Sequence, residues 1–275
     1  MSFPLIQKIK EKKEFSSLDD AFVQSQIESF LKRNQRLAIP DPKHKDLKAI
    51  VKGVRASLRK LVVYSSKEKI PGISQLKGLK KDEFQKLCQN ILQQNTSTKE
   101  RTDIYPSIYQ EIRKLKPKRI LDLGCGLNPV SLIPSNWQGE YFAYDINQEE
   151  ISFLQKFFRI LKSVININGH AAYFNLLETE KISSLPKADL GIILKVTDLL
   201  EQKKYKKHKI TEELLQKLPC RFILLSFSTK TLSGKPMNAP ERNWLKWLLE
   251  RLKYQYRILK YPSEIFYLID KGEPK

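Results

Sequence analysis

The hydrophobic and polar positions of the chain follow one pattern before about residue 95 and another after it. In the first part, apolar residues recur every three or four positions without a convincing strand alternation, which is typical of amphipathic helices. Three helices are predicted there: from a cap at Ser17 or Asp19 through Leu31, over 47–64, and over 82–93. Proline and glycine at 39–42 and 71–72 are expected to separate them.

From about residue 118, short apolar runs alternate with helical patterns, which indicates a parallel sheet with crossover helices. Five strands are predicted over 119–124, 140–145, 165–174, 188–194 and 221–227, then a hairpin-like pair over 256–259 and 264–269. Asn147 is expected to cap a helix, with Glu150 completing a capping box, and Pro240 to begin another. This order resembles the α/β, Rossmann-like seven-stranded fold of S-adenosylmethionine-dependent methyltransferases.

Charge separates the two parts further. The 275 residues include 50 Lys and Arg against 30 Asp and Glu, a net charge of +20, and residues 1–80 alone hold 18 basic and 8 acidic side chains, 18 − 8 = +10. Such an excess favours a polyanionic partner, with nucleic acid preferred to an anionic membrane surface. We therefore predict a basic helical RNA-docking domain over 1–95 and a methyltransferase domain over 96–275. The alternatives are a lysine-rich solvated surface and a helical extension that only packs on the main domain.

Several classes of protein are disfavoured by what the sequence lacks. No apolar stretch approaches the ~20 residues needed to cross a bilayer, and the first residues do not resemble a secretory signal. Three scattered cysteines and three scattered histidines support neither a disulfide framework nor a metal site. We expect a cytoplasmic protein without a bound metal, and a monomer.

The chemistry is concentrated at the end of the first predicted strand, in the run from Leu121 to Pro129. Gly124 and Gly126 allow the backbone to turn sharply and approach a ligand. Asp122 is placed to receive the ammonium group of S-adenosylmethionine. Asp145, about 20 residues further on at the tip of the second strand, suits a carboxylate that accepts hydrogen bonds from both ribose hydroxyls.

A nicotinamide-dinucleotide site is the competing reading of these glycines. Its Gly-x-Gly-x-x-Gly fingerprint needs glycine where Pro129 stands, and proline has no N–H to donate to a pyrophosphate. After the third strand, Asn175 is placed to accept from the exocyclic amine of adenine, while Leu176 and Leu177 cover the ring, although an ordinary turn explains this segment as well. The sequence therefore favours S-adenosylmethionine over a dinucleotide.

The absence of two motifs narrows the range of possible methyl acceptors. The fourth strand is not followed by the Asn/Asp-Pro-Pro-Tyr/Phe element that holds an exocyclic amine, and neither Cys125 nor Cys220 is expected to act as a cytosine-C5 nucleophile. Acceptors that are nucleophilic when neutral remain, and guanine N7 is the obvious one in nucleic acid. Its methylation requires in-line placement rather than a general base, so no catalytic side chain is expected.

Together these segments resemble the aminoglycoside-resistance 16S rRNA methyltransferases that modify guanine N7 in the decoding A site. The matching residues are Ser97-Thr98-Lys99-Glu100-Arg101, the run from Leu121 to Pro129, Tyr144-Asp145-Ile146, Leu194-Lys195 through Gln202, Ser226-Phe227 and Lys230 through Lys235. The resemblance runs from about Thr96 to the end. The basic Lys-Leu-His-Gln segment of the family has no clear counterpart in the N-terminal region.

The resemblance implies that the bidentate fork of Arg101 holds the S-adenosylmethionine carboxylate, and that the loop from Lys230 to Asn243 helps form the target-base pocket. The implied cofactor residues are Arg101, Asp122, Gly124, Gly126, Asn128, Asp145, Ile146, Asn175, Leu176 and Lys195. The candidates for the target-base pocket are Lys195, Phe227, Lys230, Glu241, Asn243 and Trp244. The candidate RNA contacts are Arg55, Arg59, Lys60 and Lys230.

The expected function is therefore methylation of guanine N7 in the 16S rRNA of the 30S subunit, with S-adenosyl-L-methionine as cofactor. Other functions stay open at this point. One is an enzyme that acts on another rRNA site, on tRNA or on a small molecule, and another is an RNA-binding relative without catalysis.

Overall fold

The computed structural model of the chain describes residues 2–37, 44–62, 79, 81–135, 137–201, 208–231 and 234–272. Some sequence predictions lie outside these residues. They are the breaks at 39–42 and 71–72, the end of the second helix at Tyr64, and the resemblance at Gln202 and Ser233.

Seven strands form one sheet: β1 (Arg119–Leu123), β2 (Gly139–Asp145), β3 (Ile167–Tyr173), β4 (Ala188–Leu194), β5 (Cys220–Ser228), β6 (Gln255–Lys260) and β7 (Glu264–Asp270). Their order is β3-β2-β1-β4-β5-β7-β6. The first five are parallel, and β7 runs antiparallel to both β5 and β6. The predicted seven-stranded Rossmann-like fold is confirmed.

The described α-helices are α1 (Ser2–Lys10), α2 (Asp20–Arg33), α3 (His44–Leu61), α4 (Lys81–Gln94), α5 (Thr96–Lys99), α6 (Tyr105–Lys114), α7 (Leu132–Ser135), α8 (Gln148–Ile165), α9 (Thr197–Leu200), α10 (Lys209–Lys217) and α11 (Asn243–Arg251). Short 3₁₀ turns span Lys13–Phe15, Gln35–Leu37, Asn128–Ser131 and Thr179–Ser184. The sequence analysis did not identify α1, α5, α6, α7, α9 or α10.

Two predicted helix starts are confirmed and one is wrong. Asp19 caps α2 by accepting from the N–H groups of Ala21 and Phe22, and Asn147 caps α8. The helix expected from Pro240 begins three residues later, at Asn243. The Arg242 N–H donates to the Tyr267 hydroxyl at 2.9 Å, and this bond ties the chain to β7 just before the first helical turn.

Successive strand residues point to opposite faces of the sheet, so each face has its own apolar core. Ile120 belongs to the core covered by α4, α6 and α8, whereas its neighbour Leu121 belongs to the core covered by α10 and α11. The sheet is thus enclosed between two layers of helices. Its carboxyl edge, where the parallel strands β1, β2 and β4 end, is left free to form a site.

The helices α1, α2 and α3, here called the N-terminal module (residues 2–37 and 44–62), share a separate apolar core that includes Ile9, Phe22 and Val54. By contrast, Phe84 and Cys88 of α4 are fully buried in the core of the sheet. The packing therefore favours a boundary between α3 and α4, because α4 covers the sheet. The division at residue 95 stays a prediction. Among the described helices, none is long and apolar enough to cross a membrane.

Candidate cofactor and substrate site

A cavity lies at the carboxyl edge of the sheet, and its volume of about 910 Å³ includes the open space at its mouth. Every residue that the sequence analysis named for the cofactor lines it, namely Arg101, Asp122, Gly124, Gly126, Asn128, Asp145, Ile146, Asn175, Leu176 and Lys195. The structure thus brings together residues that are far apart in the chain.

The glycine turn forms the cavity floor beside β1. Gly124 and Gly126 have φ angles of +65° and +49°, a backbone region that glycine adopts without strain. A Cβ at Gly124 would lie 2.7 Å from a methyl group of Val196. Glycine is therefore required at this position by backbone conformation and by space, and the turn keeps the cavity open next to Asp122.

Asp122 is buried at the end of β1, where its Oδ2 accepts hydrogen bonds from the Asn128 amide at 2.9 Å and the Tyr141 hydroxyl at 2.6 Å. Burial raises the pKa of its carboxyl to about 6, although both hydrogen bonds act in the opposite direction. A cationic ligand group would remove much of the cost of keeping this carboxylate ionised. The arrangement fits the ammonium role expected for Asp122.

Asp145, at the end of β2, is held by backbone N–H groups. Its Oδ2 accepts from Gly126 at 2.8 Å, and its Oδ1 accepts from Ile146 at 2.7 Å and Asn147 at 3.0 Å. Because a carboxylate offers about four acceptor positions, one remains, on Oδ2. In this arrangement Asp145 can accept one ribose hydroxyl, rather than the two that the sequence suggested. Burial raises the pKa of this carboxyl.

Arg101 is 2% exposed and is paired with Glu264, the first residue of β7. Its Nε lies 3.0 and 2.9 Å from the two carboxylate oxygens of Glu264, whereas its Nη2 is buried without a hydrogen-bond partner. An unpaired buried guanidinium nitrogen is costly, and this one belongs to a side chain that lines the cavity. A ligand carboxylate is the natural partner for it.

Lys195 follows β4 and has a left-handed backbone, φ +58°. Its ammonium lies 3.2 Å from Glu264 and also pairs with Glu100, while the Ser226 hydroxyl donates to Glu264. Two cations and two anions therefore form one network at the cavity wall, in which Arg101, Lys195 and Glu264 are buried and Glu100 is partly exposed. Sequence analysis missed Glu264, because nothing local in its strand indicates a partner 163 residues earlier in the chain.

Adenine was expected to lie at Asn175 and Leu176, both of which are buried at the cavity. The Asn175 side-chain oxygen accepts from the Leu177 N–H at 3.1 Å, and its amide nitrogen donates to Glu178. Since an amide oxygen has two lone pairs, Asn175 retains one acceptor position for an exocyclic amine. Its orientation is fixed by the turn.

The other candidates for the target-base pocket do not line this cavity within the described chain. Phe227 is only 1% exposed and meets Trp244 edge-on, so it supports Trp244 from within. One face of Trp244 is covered by His208, whose ring is stacked at 3.7 Å with an angle of 4°. Stacking of a base on that face would require His208 to move.

Glu241 and Lys230 lie in the loop before α11, and Asn243 is the first residue of that helix. Glu241 pairs with Lys246 and Lys260, and their ammonium groups lower the pKa of its carboxyl to about 2. Asn243 and Lys230 are exposed. Asn243 and Lys230 thus remain accessible to RNA, whereas Glu241 is engaged within the protein.

The cysteines do not provide a nucleophile. Cys220 follows Pro219, the order seen in cytosine-C5 nucleophiles, but it begins β5 at the opposite edge of the sheet. Burial raises its thiol pKa to about 12 and raises that of Cys125, in the glycine turn, well above the usual value. Both are therefore protonated at neutral pH. Among the described residues, no group of three or more His, Cys, Asp or Glu side chains could hold a metal ion.

The candidate RNA contacts on α3 differ from one another. The Arg55 guanidinium donates to the carbonyls of Lys8 and Ile9 at the end of α1, so it closes that helix rather than facing RNA. Arg59 pairs with Glu14 and lies over the Phe15 ring, and Lys60 is exposed. Lys60 is therefore the best placed of the three to contact phosphate.

The site combines the sheet order, the glycine turn and the acids Asp122 and Asp145 beside it. Together these features define a methyltransferase of the Rossmann-like class. The family model for ribosomal RNA methyltransferase (FmrO) matches residues 72–250. The chain belongs to this family, and the predicted class of enzyme, an rRNA methyltransferase, is confirmed.

Two curated relatives agree with the resemblance found in the sequence. The 16S rRNA (guanine(1405)-N(7))-methyltransferase of Proteus mirabilis is 27% identical over 195 residues, which span 67% of this chain and 66% of the relative. The enzyme of the same name from Serratia marcescens is 28% identical over 186 residues, which span 65% and 68%. The aligned part is thus about two thirds of each protein.

Solved structures show the same fold over nearly the whole chain. The 16S rRNA methylase RmtB superposes with a TM-score of 0.71 at 22% identity, covering 98% of both chains. The 16S rRNA methyltransferase RmtF, solved in complex with S-adenosyl-L-homocysteine, superposes with a TM-score of 0.75 at 18% identity, again covering 98% of both. This coverage includes the N-terminal module as well as the sheet domain.

Proposed function

We propose that this chain transfers the methyl group of S-adenosylmethionine to N7 of a guanine in the 16S rRNA of the small ribosomal subunit. The observation that supports this most strongly is the buried, unpartnered Nη2 of Arg101 in the cavity beside Asp122. A cation and an anion on neighbouring parts of one wall match the carboxylate and ammonium of an amino acid. Methionine carries that pair at one end of the cofactor.

The cavity fits the rest of S-adenosylmethionine as well. Arg101 would take the carboxylate, Asp122 the ammonium and Asp145 a ribose hydroxyl, while Asn175 and Leu176 would hold the adenine. The turn at Gly124 and Gly126 would let the cofactor approach the backbone, where any side chain would intrude. When bound, the cofactor supplies a methyl group activated by its sulfonium centre.

The residues at the site suit an acceptor that needs no deprotonation. The carboxylates of Asp122 and Asp145 are engaged in hydrogen bonds, and the Cys125 thiol is protonated. Guanine N7 has a free lone pair, so placement alone can drive its reaction. The protein then has only to hold guanine N7 in line with the methyl group. Lys195 and the loop from Lys230 to Asn243 are the candidates for holding the base.

The family of the chain and its net charge both support 16S rRNA as the proposed substrate. The named relatives are 16S rRNA guanine-N7 methyltransferases, and this chain carries a net charge of +20. We propose that it acts in the cytoplasm on 16S rRNA within the 30S subunit, and that the modification gives aminoglycoside resistance. A rise in the inhibitory concentration of aminoglycosides in expressing cells would support the last point.

A side-by-side transfer assay tests the proposal. Isolated 30S subunits, tRNA and free guanosine are each incubated with the full chain and S-adenosylmethionine labelled in the methyl group. We expect label only in the 16S rRNA of the 30S subunits. Label in tRNA alone, or in free guanosine alone, would contradict the proposal, and cofactor binding without transfer to any of the three would indicate an RNA-binding relative without catalysis.

A further inference from the structure

The N-terminal module supplies two side chains to the cofactor cavity that sequence analysis did not assign. Phe22 of α2 and Leu61 at the end of α3 both line it. Phe22 is 2% exposed, and its apolar core continues into Ile146 and Leu177, beside the ribose and adenine residues. Leu61 lies at the other side, where α3 packs against α9 and its cavity residues Leu199 and Leu200.

The module is attached directly to the strand end that carries Asp145. The Asp19 N–H donates to the Ile146 carbonyl at 3.0 Å, and the Gln148 N–H donates to the Ser17 carbonyl at 2.7 Å. The Gln148 side chain also donates to Asp19 at 2.5 Å. These bonds form a short antiparallel bridge between the module and the segment that follows β2.

One segment, 145–148, therefore serves both the module and the ribose carboxylate. The N–H groups of Ile146 and Asn147 donate to Asp145, while the Ile146 carbonyl and the Gln148 N–H bind the module. Displacement of the module would remove the bonds that fix this segment and expose Phe22. The ribose acceptor and the apolar cover of the cavity would be lost together.

From this geometry we infer that the N-terminal module completes the adenosine side of the cofactor site, with Phe22 and Leu61 as cofactor-contacting residues. Docking of the module and binding of S-adenosylmethionine are then coupled, and the coupling is reciprocal. The inference depends on the proposed cofactor. It adds that the basic module is held in its docked position, ready for RNA, more firmly when cofactor is present.

Hydrogen exchange on the unmodified full chain tests the coupling directly. The amides of Asp19 and Gln148 are followed with and without saturating S-adenosylmethionine, while calorimetry measures binding of the cofactor in parallel. We expect exchange at both amides to slow at least about tenfold, because a ligand that binds only the docked form stabilises it by mass action. Unchanged exchange at both amides, with cofactor bound, would overturn the inference.

Matched conservative variants test the contact. Phe22→Leu and Phe15→Leu both alter buried phenylalanines of the module core, but only Phe22 lines the cavity. We expect Phe22→Leu to raise the cofactor Kd about threefold to tenfold, the range of a lost aromatic contact, and Phe15→Leu to change it by less than about twofold. Equal effects from the two variants would overturn the assignment of Phe22.

The result also separates this inference from the proposed function. S-adenosylmethionine could bind and be used for transfer to 16S rRNA without any effect on exchange at the Asp19 and Gln148 amides. That result would contradict the coupling but not the proposed function. No binding of S-adenosylmethionine to the unmodified chain would reject both.

Discussion

Both carboxylate oxygens of Glu264 accept from the Nε of Arg101, at 3.0 and 2.9 Å, and the outer nitrogen Nη2 is left for a ligand. The same carboxylate receives Lys195 at 3.2 Å and the Ser226 hydroxyl. Glu264 thereby fixes the orientation of Arg101 and balances its charge where both side chains are almost fully buried. We expect it to act on the cofactor through Arg101, as a positioning residue.

Glu264→Gln is expected to damage stability and cofactor binding together. Removing one partner of a buried ion pair costs about 3–5 kcal/mol of unfolding free energy, and Arg101 would lose its fixed orientation. Urea denaturation measures the first effect, and calorimetry with S-adenosylmethionine measures the second, as a rise in Kd of at least about tenfold.

A matched control for that variant is Glu140→Gln, since Glu140 forms an exposed pair with Arg119 at the start of the sheet. Surface pairs contribute little, so both measurements should stay near those of the unmodified chain. If Glu264→Gln behaved like Glu140→Gln, the buried network would not position Arg101.

Asp145→Ala is expected to weaken cofactor binding at least about tenfold, because a hydrogen bond to a charged group contributes about 1.5–3 kcal/mol. The variant would also release the N–H groups of Gly126 and Ile146. Calorimetry measures the change. Glu149→Gln, an exposed neighbour on α8, is the control, and cofactor affinity that is unchanged in Asp145→Ala would place the ribose elsewhere.

Titration of the Asp122 carboxyl should make the free energy of unfolding depend on pH. Burial raises its pKa to about 6 from the ordinary value of 3.8, so between these values the folded chain holds a proton that the unfolded chain has released. The free energy of unfolding therefore falls as pH rises through this window. A shift of this size corresponds to about 3 kcal/mol.

Asp122→Asn removes that titration. Relative to the unmodified chain, the variant should gain stability as pH rises from 4 to 7, yet bind S-adenosylmethionine more weakly at pH 7 because it cannot pair with the ammonium. Urea denaturation over this pH range and calorimetry at pH 7 measure the two effects. A stability difference that does not vary with pH would show that Asp122 is not the group that titrates.

Substitution of Arg55 is expected to affect stability, whereas substitution of Lys60 is expected to affect RNA binding. Arg55→Ala removes the bonds that close α1 and is expected to destabilise the N-terminal module by about 1–3 kcal/mol. Lys60→Ala should leave stability unchanged and reduce the slope of log affinity for 30S subunits against log salt by about 1, the effect of one lost phosphate contact. Thermal denaturation and binding titrations at several salt concentrations measure both. A salt slope unaltered by Lys60→Ala would remove this residue from the interface.

The sequence predicted those parts of the molecule that depend on local pattern. Strand periodicity located β1 to β7 within about two residues. The glycine turn with its flanking acids identified Asp122, Gly124, Gly126 and Asp145, whereas Arg101 was assigned through the family resemblance. Asp19 and Asn147 signalled helix starts, since capping depends on neighbouring N–H groups alone.

The remaining features depend on contacts between distant parts of the chain. Glu264 looks like any acid at a strand start until Arg101 is placed against it. Arg55 looks like a free surface cation, because the carbonyls that it binds lie on another helix. For the same reason the packing of α4 on the sheet, and of Phe22 over the cofactor cavity, had no signal in the sequence.

The most direct test of the account is to map the methylated atom. 16S rRNA from 30S subunits treated with the full chain and S-adenosylmethionine is cleaved by borohydride and aniline, which act at N7-methylguanosine, and the cut is located by reverse transcription. The account predicts one new stop at a guanine, absent when S-adenosylmethionine is omitted. Methylated 16S rRNA that yields no such stop would contradict it.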